Sequence, residues 1–319
     1  MASRRWMAQL PLSVPLLLIF AFTIGTAVAA AAYPSRPIDF IVPWGSGGGA
    51  DYIGRALARE MEPILRVSLP VVNVPGGTGQ TGLNKMGYAP ADGYMMEVVT
   101  SETLLLPVTA HPLFDLHGFT PLGIVDQQNP GVLVGPKSTL KDWTDVVDTA
   151  RKRPVSIAFD GFGSTGDLLV SYLNRHLGTQ LNLVPYEAAG SRIASVLGGE
   201  NELLFTQPGD VQTYIKGGQL RPLLIFAEVP DRSFPDVPIS RTFDYPSLIH
   251  FRAVYVRAGT PPDIKQVLQE ALAKAVTTPS YKSALEQESA LAASLISAED
   301  AEEFIGKWQV EAEAIKKAR

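Results

Sequence analysis

Two stretches of this chain repeat one local plan, and that repetition constrains the fold more than any other feature. In the first, IDFIVPWGSGGGADYIG (residues 38–54), an apolar run at 38–42 ends at Pro43. It passes into Gly45, Ser46, Gly47, Gly48 and Gly49, and then Asp51 heads an apolar helical pattern. In the second, VSIAF (155–159) reads as a strand and GFGSTG (161–166) follows. Asp167 then heads a pattern carried by Leu168, Leu169, Tyr172, Leu173, His176 and Leu177. A strand, a glycine loop and a helix start in series make an α/β unit with mainly parallel strands. One such unit in each half predicts two α/β domains that face each other.

The length of 319 residues and the 46% hydrophobic content suffice for one large or two medium cores. Residues 1–32 stand apart. Arg4 and Arg5 precede an apolar stretch free of acids and bases, which closes on small residues around Ala27-Val28-Ala29. This is the pattern of a cleavable secretory signal, and Ser3-Arg4-Arg5-Trp6-Met7 also bears a weak likeness to a twin-arginine signal. Without Arg4 and Arg5 the 27 basic residues fall to 25 against 32 acids, a formal charge of −7. An acidic exported chain without basic clusters is poorly suited to nucleic acid or anionic lipid. With no cysteine there is no disulfide, thiolate nucleophile or lipid anchor on cysteine. The expected location is the periplasm.

Near the C-terminus, Thr260-Pro261-Pro262-Asp263 reads as a hydroxyl-capped helix start, and Ser297-Ala298-Glu299-Asp300 as a capping box. The two helices that follow are expected to pack outside a sheet and to contribute stability without chemistry.

The glycine loop at 45–49 invites several chemical readings. A dinucleotide fingerprint requires an acid at the end of the next strand, where this chain has Pro70-Val71-Val72-Asn73-Val74-Pro75. A P-loop requires a Lys-Ser/Thr ending, which is missing. The segment around Ser164 is not a nucleophile elbow, because Phe162 stands where the first glycine belongs. His111, His117, His176 and His250 lack metal-ligand spacing, and His176 reads as a core or rim residue on an apolar helix face. No cofactor is expected. What is left is a loop whose N–H groups and helix dipole suit an anion, or else a tight turn with no ligand at all. A second loop in the other half tips the balance toward binding. Asp51 and Asp167 read as N-caps more readily than as ligand contacts. Thr100 and Ser101 could add hydroxyl donors.

These segments resemble the receptors of tripartite tricarboxylate transporters, the Bug family of extracytoplasmic solute-binding proteins. The likeness runs through YPSRPI (33–38), VPWGSGGGAD (42–51), NVPGGTG (73–79), ADGY (91–94), VPY (184–186), VLGG (196–199), FPDVP (234–238) and AGTP (258–261). The resemblance implies a two-domain α/β Venus-flytrap fold of the periplasmic-binding-protein type II class. Each lobe would be a sheet flanked by helices, joined by crossover strands near 129–134 and 250–256. One domain would comprise 33–130 plus 251–319, and the other 131–250. By the same analogy a carboxylate is held at Trp44, Ser46, Gly47, Gly48, Gly49 and Asp51, with Thr100 and Ser101 nearby. Phe162, Gly163, Ser164, Thr165, Ala189 and Gly190 would come from the other lobe. The implied role is capture of a small carboxylate for a two-subunit membrane permease, without catalysis.

Two positions depart from the family pattern. Asp167 replaces a common histidine, and Glu187-Ala188-Ala189-Gly190 replaces lysine and two glycines. If these acids faced the ligand, a tricarboxylate would be disfavoured and a monocarboxylate, an amino acid or an aromatic acid favoured. The expected partner is a small organic carboxylate, namely a dicarboxylate, an aromatic acid or an amino acid. Sensing for a membrane signalling protein and secreted hydrolysis are the competing readings.

Overall fold

Phe40, Ile41 and Val42 are wholly buried because the strand they form lies inside a parallel arrangement, covered on both faces. The computed structural model describes residues 33–291 and 295–319; the signal expected at 1–32 lies outside them. One sheet contains β1 (Asp39–Val42), β2 (Val71–Asn73), β3 (Met95–Thr100), β4 (Phe119–Gln128) and, from far along the chain, β10 (His250–Arg257). The other contains β5 (Gly131–Val134), β6 (Val155–Phe159), β7 (Leu181–Pro185), β8 (Leu203–Thr206) and β9 (Arg221–Ile225). The strand orders are β2-β1-β3-β10-β4 and β7-β6-β8-β5-β9. β1 pairs in parallel with β2 and β3, and β6 with β7 and β8, while β10 and β5 run antiparallel to their neighbours.

The chain passes between sheets between β4 and β5 and between β9 and β10. The two passages run side by side, with Phe226 N donating to Pro130 O at 2.8 Å. This is the expected two-lobed architecture with two crossovers.

Helices cover both sheets: α1 (Gly49–Leu65), α2 (Gln80–Tyr88), α3 (Ser101–Thr109), α4 (Trp143–Ala150), α5 (Thr165–Leu177), α6 (Ala189–Gly198), α7 (Gln212–Lys216), α8 (Pro262–Ala275), α9 (Pro279–Gln287) and α10 (Ala298–Ala318). Among the described residues no helix is long and apolar enough to cross a membrane. Ser297 caps α10, accepting from Asp300 N at 3.4 Å as its spacing predicts. Thr260 does not cap α8. Its hydroxyl donates to Arg257 O at 2.8 Å, closing the turn before the helix, and Pro261 takes the cap position.

Helix α10 does more than cover a sheet. Trp308 packs edge-on against Phe251 and donates to Ile249 O at 2.8 Å. The same helix touches α3 of one lobe and α5 of the other. His176 sits at the exposed rim rather than in the core, stacked on Tyr172.

Candidate ligand-binding cleft

The repeated plan seen in the sequence recurs in backbone geometry. Gly47 (φ +81°) and Gly163 (φ +86°) each occupy the left-handed region just before a helix cap, a conformation open to glycine and strained for most side chains. Gly48 and Ser164 are the N-caps, so Asp51 and Asp167 fall in the first helical turn. They are not the caps that their sequence position suggests. Each reaches back instead: Gly47 N donates to Asp51 Oδ2 at 3.0 Å, and Gly163 N to Asp167 Oδ2 at 2.9 Å.

Asp51 also accepts from Arg55 Nε at 3.0 Å and from Asn73 Nδ2 at 3.0 Å, while Asn73 donates to Trp44 O at 2.9 Å. Burial works against its charge, yet the bonds from Arg55, Gly47 and Asn73 hold the carboxyl below its ordinary range. This carboxylate clasps the first loop. Asp167 likewise engages Ser171 and Arg319, each at 3.2 Å.

The two lobes meet over a cavity of ≈ 50 Å³, room on the scale of a few water molecules. A Cβ built on Gly48 would lie 3.2 Å from the Cβ of Ala189 in the other lobe, so the lobes approach closely at this point. Of the residues expected to form the site, Trp44, Gly48, Gly49, Thr100 and Ala189 line this cavity. Trp44 Nε1 donates to Thr100 Oγ1 at 3.2 Å, which fixes the indole against the end of β3.

Ser46, Gly47, Asp51, Ser101, Phe162, Gly163, Ser164, Thr165 and Gly190 are not in its lining. Gly47, Asp51, Gly163 and Ser164 shape the loops. Phe162 is 62% exposed and packs edge-on to Phe159. Thr165 is wholly buried, with a hydroxyl that has no partner. The second glycine loop stays at the lobe contact, where Thr109 donates to Gly163 O at 2.7 Å and Thr78 to Phe162 O at 3.4 Å. Asp167 and the exposed Glu187, whose charges could have repelled a polyacid, are likewise absent from the lining.

Six ionisable residues missed in the sequence do face the cavity: Glu102, Asp160, Arg192, Asp210, His250 and Arg252, with Gln207 beside them. His250 and Arg252 alternate along β10 and are 3% and 2% exposed. Polar residues at alternate positions of an otherwise apolar strand were the available signal.

Arg252 bridges the lobes. It pairs with Asp126 on β4 and, at 2.8 and 3.0 Å, with both carboxylate oxygens of Asp210, which follows β8. Burial opposes the charge of Asp210, but Arg252 outweighs it and holds the carboxyl down at about 2. This pair lies hard against α1, since a Cβ on Gly49 would fall 2.2 Å from Arg252 Nη2 and from Asp210 Oδ1.

His250 Nδ1 lies 2.9 Å from Glu102 Oε1 and 3.0 Å from Ser101 Oγ. In a serine–histidine–acid triad the serine and the acid occupy opposite ring nitrogens. Here both meet the same one, so the cluster lacks the geometry for that chemistry. Asp160, at the end of β6, has its carboxyl pushed up to about 6 by burial and by the charge of Glu102, with Arg192 opposing.

Paired sheets, two adjacent crossings and a polar cleft between the lobes define the two-lobed binding-protein class. A profile of the tripartite tricarboxylate transporter family receptor matches residues 53–319, and the chain belongs to that family. It is 30% identical over 266 residues to a UPF0065 protein of Agrobacterium vitis from the TAR-I ttuE-ttuC' intergenic region, spanning 79% of this chain and 75% of that one. To Protein BugT of Bordetella pertussis it is 29% identical over 268 residues, spanning 81% and 82%. The solved structure of a periplasmic transporter matches with a TM-score of 0.83 at 26% identity, over 90% of this chain and 98% of that one. The R. palustris protein Rpa4515 with adipate matches with 0.83 at 21% identity, over 90% and 98%, a likeness of fold.

Proposed function

We propose that this chain is an extracytoplasmic solute-binding receptor that captures a small carboxylate between its lobes and delivers it to a two-subunit membrane permease. Residues 1–32 act as its export signal, and the periplasm is its place of work. Residues 33–130 with 251–319 form one domain and 131–250 the other. It catalyses nothing and requires no cofactor.

The observation that supports this reading is the make-up of the cleft. The start of α1, at Gly48 to Ala50, faces the start of α6 at Ala189, with Arg192 and Arg252 lining the space between. Helix N-termini and guanidinium groups are the protein's favoured partners for a carboxylate. Micromolar affinity requires about −8 kcal/mol. Hydrogen bonds to a charged group supply roughly 1.5–3 kcal/mol each, so a few of them offset the cost of immobilising the guest and closing the lobes. Contacts from both lobes favour the closed form when the guest is present, and that form is what a permease would recognise. The cleft excludes neither dicarboxylates, aromatic acids nor amino acids on charge alone.

The test is a thermal-shift screen of the exported protein against mono-, di-, tri- and aromatic carboxylates and amino acids. A ligand at a hundred times its dissociation constant stabilises the fold by about 2.7 kcal/mol. A rise in melting temperature confined to one acid class is the expected result. A flat response to every acid would refute the proposal.

A further inference from the structure

We propose, building on the receptor reading above, that Asp160 makes this cleft selective for acids that carry an amino group beside the carboxylate over the same acids without it. The argument begins with which polar atoms of the cavity are already satisfied. Asp210 is held by both hydrogen bonds from Arg252. Glu102 is held by His250 and Ser101. Asp160 differs from both, because its Oδ1 is buried and accepts no hydrogen bond.

The donors show a matching gap. Arg192 and Arg252, 7% and 2% exposed, each retain a buried Nε–H without a partner, and the ring of His250, 3% exposed, retains an unpaired Nε2. All of them line the one cavity with Asp160. The residues of the lining thus carry unmatched guanidinium donors together with one unmatched carboxylate oxygen. A buried polar group left in that condition is costly, and a guest that supplies the partner relieves it.

A plain carboxylate answers only the donors. It also brings negative charge to a cavity already lined by Glu102, Asp160 and Asp210, against Arg192 and Arg252. An amino acid answers both sets, with its carboxylate at the guanidinium groups and its ammonium at Asp160. Burial and Glu102 already push the Asp160 carboxyl up to about 6. A further anion raises it again, so a plain acid should bind with uptake of a proton at Asp160. An ammonium keeps Asp160 ionised, and no proton is taken up.

Titration calorimetry on the exported protein near pH 7 decides this, using aspartate against succinate and glutamate against glutarate in buffers of different ionisation enthalpy. One charge-assisted hydrogen bond predicts that the amino member binds roughly tenfold to a hundredfold tighter. Succinate should take up a proton that aspartate does not. In Asp160→Asn the preference should collapse, and succinate should bind more tightly than it does to the wild type. If that variant does not fold, the wild-type pairs and their proton uptake still decide. Equal affinity within each pair, or a preference that survives in a folded Asp160→Asn, overturns the selectivity while leaving the receptor reading in place. Failure of every acid to bind overturns both.

Discussion

Replacing Gly48 by valine tests whether closure of the two lobes over α1 is what holds the ligand. Gly48 has φ −93° and ψ 172°, an extended conformation that any L-residue adopts, so the substitution leaves its own loop unstrained. The obstruction lies across the cleft. A Cβ at Gly48 would sit 3.2 Å from that of Ala189, inside the roughly 3.5–4.0 Å at which carbon atoms pack comfortably. The two γ-methyl groups extend further still and meet the start of α6. Overpacking of this kind costs about 1–3 kcal/mol. Charged against the closed form, that predicts a loss of affinity of roughly fivefold to 150-fold. Gly48→Ala, which requires the neighbours to yield by only a few tenths of an ångström, should fall well short of that. The assay is calorimetry with the best acid from the screen, alongside thermal unfolding without ligand. Both variants should unfold cooperatively, with affinity graded by side-chain size. Wild-type affinity in a cooperatively folded Gly48→Val would show that ligand binding does not depend on this contact.

Three other perturbations separate the clasp, the bridge and its titration. Asp51→Ala removes the acceptor for Gly47, Arg55 and Asn73 and should destabilise the fold by roughly 1–3 kcal/mol, read as a lower midpoint in urea. Arg252→Met leaves Asp126 and Asp210 without their cation and should cost about 3–5 kcal/mol; a melting temperature unchanged from wild type would contradict the bridge. Because Asp210 is held down at about 2 from an ordinary 3.8, its stabilisation is complete above the ordinary value and is lost as pH falls toward the lower one. Wild-type stability should therefore drop between pH 4 and 2 more steeply than that of Asp210→Asn, as followed by acid titration of the unfolding midpoint.

How far the sequence could be read depended on whether a feature was local. The apolar runs at 38–42 and 155–159 lie on β1 and β6 almost residue for residue, because short β-branched and aromatic runs ending in glycine leave little choice. The two loops were correctly paired for the same reason. Their aspartates were misassigned as caps because the sequence does not mark where inside a run of glycines the first helical turn begins. The cleft itself was harder. Arg252 finds Asp126 and Asp210 across separations of 126 and 42 residues, and nothing local in either segment names the other. Insertion of β10 between β3 and β4 is equally non-local, yet it brings His250 and Arg252 into the cleft.

The side-by-side passages between the sheets have a mechanical consequence. β4 neighbours β10 in one sheet and β5 neighbours β9 in the other, so both links leave and arrive at adjacent places. Two attachments set close together resist twisting and sliding but leave one easy rotation, as a pair of hinges does for a door. Helix α10, which packs against the start of β10 through Trp308 and reaches both α3 and α5, would brace that line. On the proposed receptor reading, the swing would lie in connectivity and the grip in a handful of side chains. An engineer could exchange Asp160 or Arg192 to change the guest and leave the movement untouched.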